Sequence, residues 1–377
     1  MKRPFRDFHL FNILEAYEAK KLPMDVHLSH YFRAHKAVGA GDRRYISETV
    51  YGLIRWRGLL DHFLPKPPSW DSRTALFKEF NPLDHRTNAA IPLHIRASFP
   101  KPLFQRLCSH FGEERALELC YASNTAAPTT VRANLLKTTR DQLLEKWQGL
   151  YEVSACLHSN AGIVFHRKIN FFALEEFKAG LFEIQDEASQ LVAALVKPKA
   201  GDEVLDFCAG SGGKTLAFAP AMEGKGQIYL HDIRPFALEE AKKRLYRAGI
   251  QNAQVVLAED PKLEVLKGRM NWVLVDAPCT GTGTLRRNPD MKWKLDLGGL
   301  EALRQEQCSI FEQALEYLSP KGHIVYATCS ILPEENEEQM NLFKERFKLE
   351  CVGPFFQSFP QKNGMDGFFG VVFKQLL

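Results

Sequence analysis

Apolar and polar positions follow three different rhythms along the chain. From about Asp186 onward, short apolar runs alternate with longer stretches of helical spacing, which predicts a mostly parallel sheet covered by helices. The predicted strands are Glu203–Cys208, Gln227–Asp232, Ala253–Ala258, Asn271–Asp276 and His323–Ala327, with Phe368–Phe373 as one more. Helices are predicted over Phe236–Ala248, Leu300–Leu318 and Glu334–Phe347. The first third reads as helical throughout. There Ile46, Val50, Leu53, Ile54 and Leu60 recur at helical spacing, flanked by Arg43, Arg44, Arg55 and Arg57. Leu64-Pro65-Lys66-Pro67-Pro68 ends that segment, and further helical text covers Phe104 to Cys120. Between these regions lie short strands at Thr130–Asn134, Gly162–Phe165 and Leu181–Gln185. The division this predicts is a helical domain over residues 1–127, a small α+β module over 128–185 and an α/β domain over 186–377.

Composition narrows the class. With 377 residues and 45% hydrophobic content, the chain can bury the cores of two or three domains. It carries no apolar run of about 18 residues and no apolar N-terminal stretch, so a soluble, unexported, cytoplasmic protein is expected, without membrane association. The eight cysteines are scattered with no CxxC pair, which predicts reduced thiols and neither a zinc site nor a disulfide framework. The net charge of +4 hides an asymmetry: residues 1–125 hold 19 Lys+Arg against 13 Asp+Glu. A polyanion such as nucleic acid suits that balance, and so does a solvated helical surface.

The stretch Val204–Thr215 reads as a strand, a glycine-rich turn and the start of a helix. Cys208, Ala209, Gly210, Ser211, Gly212, Gly213 and Lys214 would let the backbone approach a ligand closely. Gly213-Lys214-Thr215 ends like a triphosphate-binding loop, but the glycine that such a loop needs five residues earlier is Cys208. The other candidate is S-adenosyl-L-methionine. Asp232, ending the next strand, can accept the ribose hydroxyls, and Asp260 can take the adenine amino group. Each aspartate could equally be a cap or turn residue.

Two further strand ends carry thiols. Asp276-Ala277-Pro278-Cys279 follows one apolar run and Thr328-Cys329-Ser330 another, and residues past the carboxyl ends of parallel strands face the ligand crevice. A thiolate adding to C6 of a cytosine makes C5 nucleophilic, and such a site also needs a group at the N3/N4 edge and help with elimination. Cys329, Asp276 and Cys279 could supply these three roles, whereas the remaining cysteines suit packing. After Cys279, the small residues Thr280 to Thr284 lead to Arg286, Arg287, Asn288 and Asp290. That loop suits a flipped base and its flanking phosphates, or simply solvated arginines.

These motifs resemble the RNA 5-methylcytosine methyltransferases of the Fmu/Sun group. The resemblance rests on Asp276-Ala-Pro-Cys-Thr-Gly-Thr-Gly-Thr-Leu-Arg-Arg-Asn-Pro-Asp290, Tyr326-Ala-Thr-Cys-Ser330 with Pro333-Glu-Glu-Asn336, Gln185-Asp-Glu-Ala-Ser-Gln190 and Met365-Asp-Gly-Phe-Phe369. It implies a Rossmann-like methyltransferase domain using S-adenosyl-L-methionine, with Cys329 as nucleophile and Cys279 assisting product release. It also implies cofactor contacts from Cys208 to Lys214 and at Asp232, Asp260 and Asp276. One departure is that the family usually reads Ala-Pro-Gly-Gly-Lys where this chain has Gly210-Ser211-Gly212-Gly213-Lys214. The stretch Gly41 to Arg55 is similar to the NusB-like helical RNA-binding domain of the 16S ribosomal RNA members. That makes 16S rRNA the leading substrate over tRNA, with a monomeric, metal-free enzyme expected. A DNA cytosine-C5 methyltransferase using Cys279 and a non-catalytic RNA-binding assembly factor are the remaining alternatives.

Overall fold

The computed structural model describes residues 3–18 and 22–376, which fall into two compact units. The larger takes in Ala127–Gly283 and the described residues from Gly298 onward. It holds two sheets. The smaller sheet joins β1 (Thr129–Ala133), β2 (Val153–Ala155), β3 (Gly162–Phe165) and β4 (Phe182–Ile184), all antiparallel, in the order β2-β3-β1-β4. Trp147, Phe165 and Phe182 pack edge to face beneath it.

The larger sheet is formed by β5 (Glu203–Asp206), β6 (Gln227–His231), β7 (Ala253–Val256), β8 (Met270–Asp276), β9 (Leu318–Thr328), β10 (Leu349–Cys351), β11 (Phe356–Gln357) and β12 (Phe369–Gln375). Its order is β10-β12-β9-β8-β5-β6-β7, and β11 also pairs with β12. Strands β5 to β9 run parallel, whereas β12 is antiparallel to β9. The mostly parallel sheet expected from the sequence is therefore present. Both faces are covered, so Val204, Leu205, Val273, Leu274, Ile324 and Val325 are buried in succession, split between two apolar layers.

Two predicted boundaries move for identifiable reasons. The helix expected to reach Leu318 ends at Leu315, because Leu318 pairs with Met270 and opens an eleven-residue strand. The turn signals of Ser319-Pro320-Lys321-Gly322 conceal that strand's start in the sequence. The helix expected from Glu334 begins as a 3-10 turn, Pro333–Glu335, before the α-helix Glu337–Phe347.

The smaller unit combines the described residues up to Ala126 with the inserted segment Thr284–Leu297. Its long helix, Ala40–His62, buries Ile46, Val50, Leu53, Ile54 and Leu60 completely, as the spacing predicts. Burial of such side chains stabilises by roughly 1.5–3 kcal/mol each. The stretch Phe104 to Cys120 is two helices rather than one, broken at Gly112, whose φ of 77° serves both ends. The inserted segment is pinned into this unit. Trp293 Nε1 donates to Ile54 O at 2.9 Å, and the Lys292 ammonium donates to Arg55 O and Asn124 Oδ1 at 2.8 and 2.7 Å. No helix among the described residues is long and apolar enough to cross a membrane.

Candidate active site

In the larger sheet the chain runs from β5 to β6 and β7 on one side, then returns to β8 and β9 on the other. That reversal opens a crevice beyond the carboxyl ends of β5 and β8. A cavity of about 640 Å³ occupies the place, of a size suited to a small organic ligand.

The glycine-rich turn forms one wall. Cys208, Ala209, Gly210, Ser211, Gly213 and Lys214 line the cavity. Gly212 supports it from behind: its φ is 76°, and a Cβ there would come within 3.3 Å of both Ala241 Cβ and Leu230 Cδ2. Burial pushes the Cys208 thiol up, which suits a packing role for its side chain.

Three carboxylates surround the turn. Asp232 Oδ2 accepts from Gly210 N at 2.8 Å, and Arg234 donates to both its oxygens through Nε and Nη2. Its Oδ1 also accepts from Arg234 N at 2.9 Å, so it serves as a turn residue as well as lining the cavity. Burial disfavours its charge, but these bonds outweigh burial and hold its pKa below the ordinary value. Asp276 also lines the cavity and is paired with the Lys214 ammonium. Burial works against that ammonium, and Asp276 more than compensates, raising its pKa above the ordinary lysine value. Asp206, which the sequence reading missed, ends β5 and is 1% exposed. Its Oδ2 accepts from Thr215 Oγ1 at 2.6 Å, while its Oδ1 has no hydrogen-bond partner among the described residues. Burial lifts its pKa to about 7. Asp260 does not line this cavity; its Oδ1 accepts from Lys262 N at 2.9 Å, the local turn role.

The two predicted cysteines meet. Cys279 Sγ and Cys329 Sγ are 3.3 Å apart at the cavity wall. Their environments are unequal. The hydrogen bond from Cys279 holds the Cys329 thiol below its ordinary value, with Lys214 adding to that effect. The same bond, with burial, pushes Cys279 well up. Their loops are knotted together by Glu335, which is 0% exposed. It accepts from Thr280 N (2.9 Å), Thr280 Oγ1 (2.5 Å), Ser330 Oγ (2.5 Å) and Gln307 Nε2 (3.0 Å). Gly283 completes the knot: its N–H donates to Cys329 O and its carbonyl accepts from Gly367 N, both at 2.9 Å. A Cβ at Gly283 would lie 2.1 Å from Gly367 O, so only glycine permits this crossing.

The residues predicted to contact RNA differ in exposure. Arg286 is 1% exposed, and Arg55 Nη2 donates to its carbonyl at 2.8 Å. Asp290 is 0% exposed; it accepts from Met24 N at 3.1 Å and pairs with Lys294 at 3.0 Å. It caps the helix Met24–Ala34, which has no cap of its own. The Asp290 carboxylate is buried and bonded within the protein, and the Arg286 side chain is buried. Arg287 and Asn288 are half-buried.

Residues 193–374 match the model of the family described as 16S rRNA methyltransferase RsmB/F, and residues 99–171 match the RsmF/B-like ferredoxin-like domain. The chain belongs to the RsmB/F family. Ribosomal RNA small subunit methyltransferase B of Vibrio vulnificus is 34% identical over 261 residues, covering 67% of this chain and 61% of the relative. Its counterpart from Pseudomonas syringae pv. tomato is 32% identical over 294 residues, covering 73% and 65%. The matches thus span slightly less than two thirds of those curated relatives. The crystal structure of PH0851 shares the fold with a TM-score of 0.82 at 21% identity, over 100% of both chains. A methyltransferase homolog protein from Pyrococcus horikoshii aligns with a TM-score of 0.67 at 26% identity, over 77% of this chain and 100% of its own.

The RsmB/F-family cavity fits a nucleoside bearing a cationic amino-acid tail better than a nucleotide. Asp206, Asp232 and Asp276 all face it, and Lys214 is already neutralised by Asp276. A triphosphate would meet this acidity, and the helix after the turn, Thr215–Phe218, is too short to offset it. The unsatisfied Asp206 oxygen suits an ammonium, and the glycine turn with Asp232 suits a ribose.

Proposed function

We propose that this chain is an S-adenosyl-L-methionine-dependent RNA cytosine-C5 methyltransferase acting on 16S ribosomal RNA. The observation that carries the reading is the pair of apposed, unequal thiols facing a cavity with the polarity of an adenosyl site. The family match and the relatives named for ribosomal RNA support the choice of substrate. The basic balance of residues 1–125 is in keeping with an RNA partner.

In this reading Cys329, the thiol with the lowered pKa, adds to C6 of a cytosine turned out of its strand. Asp276 faces the base edge, and its pairing with Lys214 keeps both groups fixed at the cavity floor. Bound S-adenosyl-L-methionine supplies a methyl group on a sulfonium. Once C5 is methylated, its proton passes to a water base, the C5=C6 double bond re-forms and the C6–S bond breaks; Cys279, held protonated beside Cys329, assists by donating a hydrogen bond to the departing thiolate.

The test is methyl incorporation into 16S rRNA and small ribosomal particles, with tRNA and duplex DNA in parallel. Cys329→Ala should abolish methylation. Cys279→Ala should accumulate a covalent protein–RNA adduct, seen as a slow band on denaturing gels. An adduct that needs Cys279 but not Cys329 would reverse the assignment, and preferential incorporation into DNA would overturn the substrate class.

A further inference from the structure

The glycine-rich turn has little stiffness of its own, with three glycines among the four residues Gly210–Gly213. Within the turn, Gly210 N is held by Asp232 and Gly212 N by Ala209 O. Ser211 is held from beyond the turn by Arg244, a residue that also lines the cavity. Arg244, on the helix Pro235–Ala248, donates through Nη1 to Ser211 O at 2.9 Å and to Ser211 Oγ at 2.8 Å. The same guanidinium donates through Nε and Nη2 to Glu183 Oε2 at 3.2 and 3.0 Å. Glu183 belongs to β4 of the small sheet and is buried, and its other oxygen takes Arg247 Nη2 at 2.5 Å.

A second strut runs parallel to the first. Arg132, buried on β1, donates to Gln185 Oε1 at 2.7 Å, and Gln185 Nε2 reaches Gly213 O at 3.3 Å. Both struts start in the four-stranded sheet and end on the turn. Arg244 spends donors on a backbone carbonyl, a hydroxyl and a carboxylate at once, a planar fork that a lysine could not reproduce. A charge so placed, with its counter-charge anchored in a separate sheet, fixes the turn relative to that sheet.

We propose that Arg244 is a positioning residue for the cofactor: anchored on Glu183, it orders the glycine-rich turn before the ligand arrives. The four-stranded sheet thereby becomes part of the cofactor site, whatever RNA it contacts. The inference rests on the reading of the cavity as an adenosyl site. Preorganisation of this kind acts on affinity by removing the ordering cost from the binding step. It also makes Arg244 dispensable wherever the turn is stiffened by other means.

The experiment uses the full chain, with S-adenosylhomocysteine titrated by calorimetry and hydrogen exchange followed over residues 206–218 in the ligand-free protein. Arg244→Ala should speed exchange in that peptide and weaken binding about tenfold, the loss expected for charge-assisted hydrogen bonds. Ser211→Pro, which restricts the turn covalently, should bring the effect of Arg244→Ala on both readouts to within about twofold. Equal losses in both backgrounds would mean that Arg244 touches the ligand itself, and unchanged exchange in Arg244→Ala would remove the brace altogether; either overturns the proposal. Should Ser211→Pro fail to fold, the exchange rate of Arg244→Ala decides alone. A wild-type protein that does not bind S-adenosylhomocysteine defeats the cofactor reading instead, and exchange still reports on the brace.

Discussion

A carboxylate at the end of a buried strand, with one oxygen bonded to Thr215 and the other unsatisfied, is held at a cost. Burial lifts the pKa of Asp206 from 3.8 to about 7, so the folded protein keeps a proton that the unfolded chain would release above pH 4. Its contribution to stability is therefore full below about pH 4 and is lost as the pH rises through about 7. Binding runs the other way, because an ammonium prefers the ionised form. Calorimetry of S-adenosylhomocysteine between pH 5.5 and 8.5 should show affinity rising by up to about tenfold per pH unit and levelling above pH 7, with proton release on binding. Asp206→Asn should bind more weakly and lose this slope; a slope that survives the substitution assigns it to another group. At this scale the motifs pointed to residues that the fold brings together: Cys279, Cys329, Lys214 and Asp276 line one cavity. Glu335 stood in a quoted motif without a role, and Asp206 and Arg244 were given none, because their roles depend on which strands and loops become neighbours, which no local spacing reveals.

At the scale of elements, the two cysteine loops behave as one object. Glu335 takes hydrogen bonds from both loops and from Gln307, which in turn donates to Pro278 O at 3.0 Å. An amide in its place keeps one acceptor oxygen and sets an NH2 against either the Thr280 N–H and Gln307 Nε2 or the two hydroxyls. Glu335→Gln should cost about 2–4 kcal/mol of stability, since it leaves buried donors without acceptors. It should also slow iodoacetamide modification of Cys329, whose lowered pKa depends on contact with Cys279. Affinity for S-adenosylhomocysteine should hardly move, because Glu335 does not line the cavity. Chemical denaturation and mass-spectrometric alkylation rates check these outcomes, and unchanged Cys329 reactivity would deny Glu335 its role in apposing the thiols. The α/β pattern made the parallel strands legible, since doubly covered strands read as continuous apolar runs. The 3-10 turn that delivers Glu335 and the start of β9 were not legible, because Pro333 and the stretch Ser319–Gly322 carry signals that tertiary pairing overrides.

At the scale of the whole molecule, the chain leaves the larger unit after Gly283 and rejoins it at Gly298. The excursion contributes Trp293, whose ring packs with the core of the helical unit and lies under the Arg57 guanidinium at 5.3 Å. Trp293→Ala should therefore destabilise the helical unit by about 2–4 kcal/mol, less than a fully buried tryptophan would. Hydrogen exchange should localise the loss to Ala40–His62 and its neighbours, while cofactor affinity stays unchanged. Loss of protection confined to the larger unit would contradict this division. Sequence composition separated the helical third from the rest, but an insertion from residue 284 could not be seen from periodicity, because the segment reads as an ordinary loop.

The capping of Met24 by Asp290 joins residues 266 positions apart, and Trp293 meets Ile54 across 239. During synthesis the N-terminal helices emerge first, yet the carboxylate that caps one of them and the indole that fills their core are translated only after β8. Long loops are cheap to close but slow to find. The helical unit, although most of it precedes the larger one in the chain, can thus be completed only after much of the larger one has been made.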